Sequence, residues 1–156
     1  MSQSTTNSGV SNHFIDSILR PLHIGFHGVF SANTIPTQLL RCEAFSVICN
    51  LSNVNERGSH FVAIIVEPKR VLYLDSLGLP CIVLEINNFL RRLKKPVFYN
   101  SRQIQDFKSK YCGFYCILFV LHFHKPSIPL MFESEDLVAN DLSCIRKITE
   151  LLNKFY

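Results

Sequence analysis

Four residues have types that could act together on a carbonyl group: His60, Asp75, Gln105 and Cys112, in that chain order. Cys112 stands in the run Tyr111-Cys112-Gly113-Phe114-Tyr115-Cys116. From Phe114 to Phe123 every residue except His122 is apolar or aromatic, counting Cys116 as apolar. An apolar run without a polar face reads as a helix enclosed on all sides, and it falls short of the about 20 apolar residues that span a bilayer. Cys112 lies where a polar loop ends and that helix begins. There the unpaired backbone N–H groups carry partial positive charge and favour a thiolate. Gly113 beside it would leave room for a substrate backbone.

A cysteine nucleophile needs a base for its proton, a group that orients the base, and donors for the oxyanion. Two β-rich runs, residues 61–66 and 70–74, flank the tight connector Glu67-Pro68-Lys69, which is a hairpin pattern. His60 precedes the first run and Asp75 follows the second, so an antiparallel hairpin brings them together. That is the arrangement of a carboxylate fixing an imidazole tautomer. Gln105 lies seven positions before Cys112, in the loop that feeds the helix, where its amide could donate to an oxyanion beside the Cys112 N–H. Each residue also has a plain reading. The histidine could pack at a strand start, and Asp75-Ser76 could initiate a turn. Gln105 could be a solvated loop residue, with Gln103 as its competitor. Four such residues in order, each at the end of an element, are more specific than any one.

The elements that must position these groups are legible in outline. The 156 residues suffice for one domain with a real core. At 47% hydrophobic and 18% charged, the composition is globular. Residues 1–12 read as a flexible N-terminal tail and residues 13–156 as a single domain. A helix is expected over 13–20, stopped by Pro21, and residues 23–33 read as mixed, with Gly25 and Gly28 at turns. A second helix is expected over 35–41 with Pro36 in its first turn, then a buried strand over 45–51. An amphipathic helix follows over 82–94, then a short strand over 97–99, a polar loop over 100–110, and the buried helix to about His124. A last helix over 134–156 begins near Ser134 and Asp136, with a stripe of Leu137, Leu142, Ile145, Ile148, Leu151, Leu152 and Phe155.

Cys112, Cys116, His122 and His124 invite a test as zinc ligands. At about 100° per residue, Cys112 and Cys116 share a helix face, but the histidines diverge by roughly 80° one way and 120° the other. No metal is therefore expected, and Cys116 reads as core packing. The six cysteines lack the spacing of a disulfide framework, and Met1 to Gly9 is polar without an apolar signal core. Reduced thiols and a protein that is not secreted are expected. The net charge of +4 permits contact with a polyanion without requiring it. Arg91, Arg92, Lys94 and Lys95, with Arg102, Lys108 and Lys110 in the next loop, are the residues such contact would use.

Ser59-His60-Phe61, Tyr73-Leu74-Asp75-Ser76-Leu77-Gly78, Gln105 and Cys112-Gly113-Phe114-Tyr115-Cys116 resemble the cysteine proteases of the adenain/Ulp superfamily, clan CE. The Asp-Ser-Leu-Gly segment is similar to the SUMO-protease branch. The Gln seven positions before the Cys, the Cys112–Cys116 run and the segments His122-Phe123-His124-Lys125-Pro126 and Pro129-Leu130-Met131 are similar to the adenain-like branch. The resemblance covers roughly residues 23–131. It departs from the family pattern at Asp75, where the adenain-like branch has Glu, and at Phe61, where an aromatic stands but not Trp.

The resemblance implies an α+β, papain-like fold of the adenain/Ulp type, a central mixed sheet flanked by helices. It implies His60 as base, Asp75 as its orienter, Gln105 as oxyanion donor and Cys112 as nucleophile. It further implies a viral maturation endopeptidase that cuts capsid and core precursor proteins at Gly-containing sites, as a monomer, in the virion and the host nucleus or cytoplasm. The chemistry requires no cofactor, though activation by DNA or a viral peptide is allowed. The other readings are a ubiquitin- or SUMO-like deconjugating protease and a catalytically silent interaction module of the same fold.

Overall fold

The apolar runs of this chain do not alternate in polarity, which a strand can sustain only when both its faces are covered. A computed structural model, describing residues 9–22, 24–53, 60–128 and 136–155, shows how that cover is arranged. The elements in chain order are α1 (Asn12–Leu19), β1 (Phe26–Ser31), β2 (Phe45–Asn50), β3 (Phe61–Val66), β4 (Val71–Leu74), α2 (Leu84–Arg92), β5 (Val97–Tyr99), α3 (Cys112–His124) and α4 (Leu137–Phe155). The strands form one mixed sheet in the order β1-β2-β3-β4-β5. β1 runs parallel to β2 and β5 parallel to β4, while the central pairs are antiparallel.

Every residue of β2 and β3 is buried, because the sheet has a core on each face. Ile48, Phe61, Ala63, Ile65 and Leu72 point to one side, where they meet α1, α3 and α4. Val47, Cys49, Val62, Ile64, Val66, Val71 and Tyr73 point to the other, against α2 and a 3-10 turn at Thr37–Arg41. The one-residue alternation between these sets is the strand's two-residue period. α3 lies over β3 in the first core, with Tyr115, Cys116, Ile117 and Leu118 fully enclosed.

The boundaries differ from expectation in ways that have causes. The segment read as a helix over 35–41 is the 3-10 turn, with Pro36 ahead of it in extended conformation. The stretch read as mixed holds β1, which the glycines in and beside it disguise. Gly28 has φ 134°, and the pairing shifts between Phe26 and Val29. α4 starts at Leu137, where Asp136 Oδ1 accepts from the Val138 and Ala139 amides. The start signal at Ser134 and the segment Pro129-Leu130-Met131 lie outside the described residues. Of the stretch read as a tail, Ser11 caps α1 by accepting from the Phe14 amide. The helix read over 82–94 is two residues shorter at each end.

Candidate active site

The β3–β4 hairpin pairs Ala63 with Leu74, so the residues just beyond it, His60 and Asp75, meet at one edge. The Leu51 amide donates to the His60 carbonyl at 2.9 Å and continues the β2–β3 ladder past the strand end. The His60 ring is 12% exposed, and its Nε2 lies 2.6 Å from Asp75 Oδ1. Asp75 is itself only 2% exposed and held from three sides. Its Oδ1 also accepts from the Leu77 amide at 2.8 Å. Asn100 grips its backbone, accepting from the Asp75 amide at 2.8 Å and donating to the Asp75 carbonyl at 2.5 Å. The turn closes at Gly78, with φ 70°, and a Cβ there would sit 2.7 Å from the Arg102 carbonyl carbon. Glycine is required both by that angle and by that approach.

Cys112 is the first residue of α3, and no side chain caps that end of the helix. It lines the same cleft as His60. Burial works against a charged imidazole here, but the neighbouring Asp75 and Cys112 outweigh it and push His60 up to about 9. One turn further on, Cys116 is fully buried, and burial first, then the neighbouring Cys112, drives its thiol well above the ordinary range. Both cysteines are buried, but Cys112, 9% exposed, lines the cleft and Cys116 does not.

Gln105 is 2% exposed although it lies in a loop. Its backbone amide donates to the Ser76 carbonyl at 3.0 Å, and its Oε1 accepts from the buried Ser76 hydroxyl at 2.5 Å. Its Nε2 gives one proton to the Ser109 carbonyl at 3.0 Å, which leaves the second amide proton. Gln105 lines the same cleft of about 640 Å³ as His60 and Cys112. Gln103, the competitor, is exposed and donates to the Gln105 carbonyl instead. The structure therefore brings His60, Asp75, Gln105 and Cys112 to one place.

Gly113 corrects an expectation. The space it leaves is not open to a substrate. A Cβ there would lie 2.3 Å from Val10 Cγ2 and 3.3 Å from Ile15 Cδ1. The N-terminal segment fills the notch, and Gly9, Val10, Ser11 and Asn12 form one wall of the cleft. Of the rejected metal set, Cys116 is sealed in the core, and His122 Nδ1 lies 2.6 Å from the Ile128 carbonyl oxygen.

Sequence reasoning missed Ser76, Asn100, Asn140, Asp141 and the role of the Tyr115 hydroxyl. Ser76 and Asn100 flank elements whose ends were already in view. Asn140 and Asp141 were hidden by the choice of stripe on α4. Leu142 is 63% exposed, while Asp141, Cys144 and Ile148 form the buried face. Stepping back from Ile148 at the three-to-four spacing of a helix reaches Asp141, and a carboxylate on an apolar stripe was the available signal.

No protein-family profile matches the chain, and no curated protein matches it. Among solved structures, the crystal structure of the ASFV pS273R protease is similar, with a TM-score of 0.56 and 15% identity, over 82% of this chain. This chain spans 61% of the length of that protein. At that identity the likeness establishes the fold: an α+β, papain-like fold of the Ulp type, built here on the five-stranded mixed sheet.

Proposed function

We propose that the chain is a cysteine endopeptidase of this fold, with Cys112 as nucleophile, His60 as acid and base, Asp75 as the orienter of His60 and Gln105 as oxyanion donor. The observation that carries the reading is the His60 ring, bonded to Asp75 through Nε2 and lining one cleft with Gln105 and with Cys112 at the uncapped head of α3. With its proton on His60, the Cys112 sulfur attacks the scissile carbonyl carbon and the carbonyl electrons move to oxygen. The Cys112 backbone N–H and the second Gln105 Nε2 proton stabilise that oxyanion. It collapses as the C–N bond breaks, and the His60 imidazolium gives its proton to the departing amine. A water, deprotonated by His60, then attacks the thioester, and the C–S bond breaks to restore the thiolate.

The resemblance to the adenain/Ulp superfamily supports substrates among capsid and core precursors of a DNA virus or virus-like element, cut at Gly-containing sites. The preference for Gly rests on that resemblance alone, since Val10 fills the notch at Gly113. Activation by DNA would have to use two separate basic surfaces. Lys95 donates to the Glu67 carbonyl at the far turn of the hairpin, whereas Lys110 lines the cleft at the His60 end. The six residues of β3 between those ends span roughly 20 Å.

A haloacetamide probe, a panel of Gly-containing peptides and ubiquitin-like reporters test the proposal together. Labelling at Cys112 with cleavage of the peptides is the expected result. Cleavage of the ubiquitin-like reporters alone would move the function to deconjugation. Labelling with no cleavage of either kind would leave a binding module and overturn the reading.

A further inference from the structure

The loop that carries Gln105 has no strand or helix of its own, yet both residues flanking Gln105 are held by α4. Asn140 Nδ2 donates to the Ile104 carbonyl at 3.1 Å. Asp141 Oδ1 lies 3.4 Å from the Asp106 amide and accepts from the Tyr115 hydroxyl at 2.7 Å. That hydroxyl, which has one proton to give, also lies 3.2 Å from the Ile104 carbonyl oxygen. Asn140 and Asp141 are each 3% exposed, in a helix whose other buried residues are apolar. A buried carboxylate is costly unless it is hydrogen-bonded, and a helix that needed only to pack would carry apolar residues at both positions. The polar pair has instead what packing does not need, partners on both sides of Gln105.

We infer that Asn140, Asp141 and Tyr115 are positioning residues that fix Gln105 against the head of α3. The inference rests on the endopeptidase reading for the role of Gln105, but not for the tether itself. Tyr115 sits one turn into α3, the helix that begins with Cys112. The hydroxyl, bonded to Asp141, therefore ties the nucleophile's helix to α4, which in turn holds the Gln105 loop. An oxyanion donor must stand within a few tenths of an ångström of its place to be effective, and loops are the least precise mounts for such groups. Tethers on both sides of Gln105 answer that difficulty.

The test separates an oxyanion effect from a general loss of structure. Alkylation of a thiolate by a haloacetamide develops no oxyanion, whereas peptide hydrolysis does. Asp141→Ala is expected to lower kcat about 10- to 100-fold with KM within a factor of about three, while the alkylation rate of Cys112 stays at the wild-type value. Asp141→Asn keeps an acceptor oxygen of the same size and should recover most of kcat. Tyr115→Phe, which removes one hydroxyl and keeps the ring, should show a smaller loss of the same kind. Asp141→Ala combined with Gln105→Ala should be no worse than Gln105→Ala alone, because the tether acts only through that side chain. Amide hydrogen exchange should rise over residues 104–109 in Asp141→Ala and stay unchanged in β3. Equal losses of turnover and alkylation, additive losses with Gln105→Ala, or unchanged exchange over 104–109 would each overturn the inference. A wild-type protein that cuts no peptide would sink the endopeptidase reading instead, and exchange would then decide the tether by itself.

Discussion

His60 and Asp75 sit at the ends of paired strands, whereas Gln105 sits in a loop that no ladder reaches. The first pair is fifteen residues apart and is brought together by strand register. Gln105 depends on a Ser76 contact across 29 residues, and its neighbours depend on α4 contacts across 35 and 36. One half of the site is thus positioned mainly by backbone hydrogen bonds shared with a five-stranded sheet, with the Asn100 side chain added at Asp75. Among the described residues, the other has only the Ile104 and Gln105 amides on the Ser76 carbonyl as backbone bonds beyond its loop, and is otherwise positioned by a few buried side chains, each of which a single substitution can remove. The base and its carboxylate should then be robust to changes elsewhere, and the oxyanion donor should be sensitive to them.

The largest effects should come from the two groups that exchange the proton. Cys112→Ala should abolish turnover and labelling, and His60→Ala should be nearly as damaging, because the two act as a unit. Cys116→Ala should keep most activity, since that thiol is sealed in the core. Mass spectrometry of the alkylated protein checks the assignment. A probe on Cys116 would break the comparison at its root.

Gln105→Ala should come next, at about 10²–10³ in kcat. Gln103→Ala should cost little, as its side chain reaches only the Gln105 carbonyl from an exposed position. Equal losses for the two would mean that the loop as a whole, and not the Gln105 amide, matters.

Asp75→Asn should cost less than either proton-exchanging residue, since Asn can still accept from the imidazole, and it should also change the pH profile. In the folded chain His60 is raised from 6.5 to about 9, and activity that needs the imidazolium should fall as pH rises through about 9. Removing the Asp75 charge should move that alkaline limb to lower pH. A linked effect on stability has a fixed sign. A group bound more tightly to its proton in the folded state contributes fully below about 6.5, and the contribution is lost as pH rises through about 9. An alkaline limb that does not move in Asp75→Asn would detach the carboxylate from the base.

The same contrast explains what could be read from the sequence. The hairpin half was legible because strand period, a tight connector and the chain position of His60 and Asp75 are local signals. The head of α3 was legible for the same reason, as a polar loop running into an apolar helix. Gln105 could be named but not distinguished physically from Gln103, because its burial depends on Ser76 and α4. β1 was missed because Gly25 and Gly28, both at positive φ, interrupt the pattern that a strand would show. Gly113 was read as an opening for a ligand because no local signal says that Val10, more than one hundred positions earlier, returns to fill it.

Gly113→Ala gives the smallest of these effects and decides between the two readings of that glycine. Alanine favours a helix by about 1 kcal/mol over glycine, so an unoccupied notch would make the substitution stabilising, with a rise in KM if substrate used the space. The structure predicts the opposite. The new methyl would meet Val10 Cγ2 at 2.3 Å and Ile15 Cδ1 at 3.3 Å, and overpacking of this kind costs about 1–3 kcal/mol. Val10→Ala removes the nearer atom. The double variant should therefore melt close to Val10→Ala, while Gly113→Ala alone melts below the wild type. Thermal unfolding of the four proteins measures the coupling directly. Val10 also lines the cleft beside Cys112. A destabilised Gly113→Ala whose KM recovers with Val10→Ala would show that the N-terminal segment is a third mount for the site, alongside the hairpin and the tethered loop.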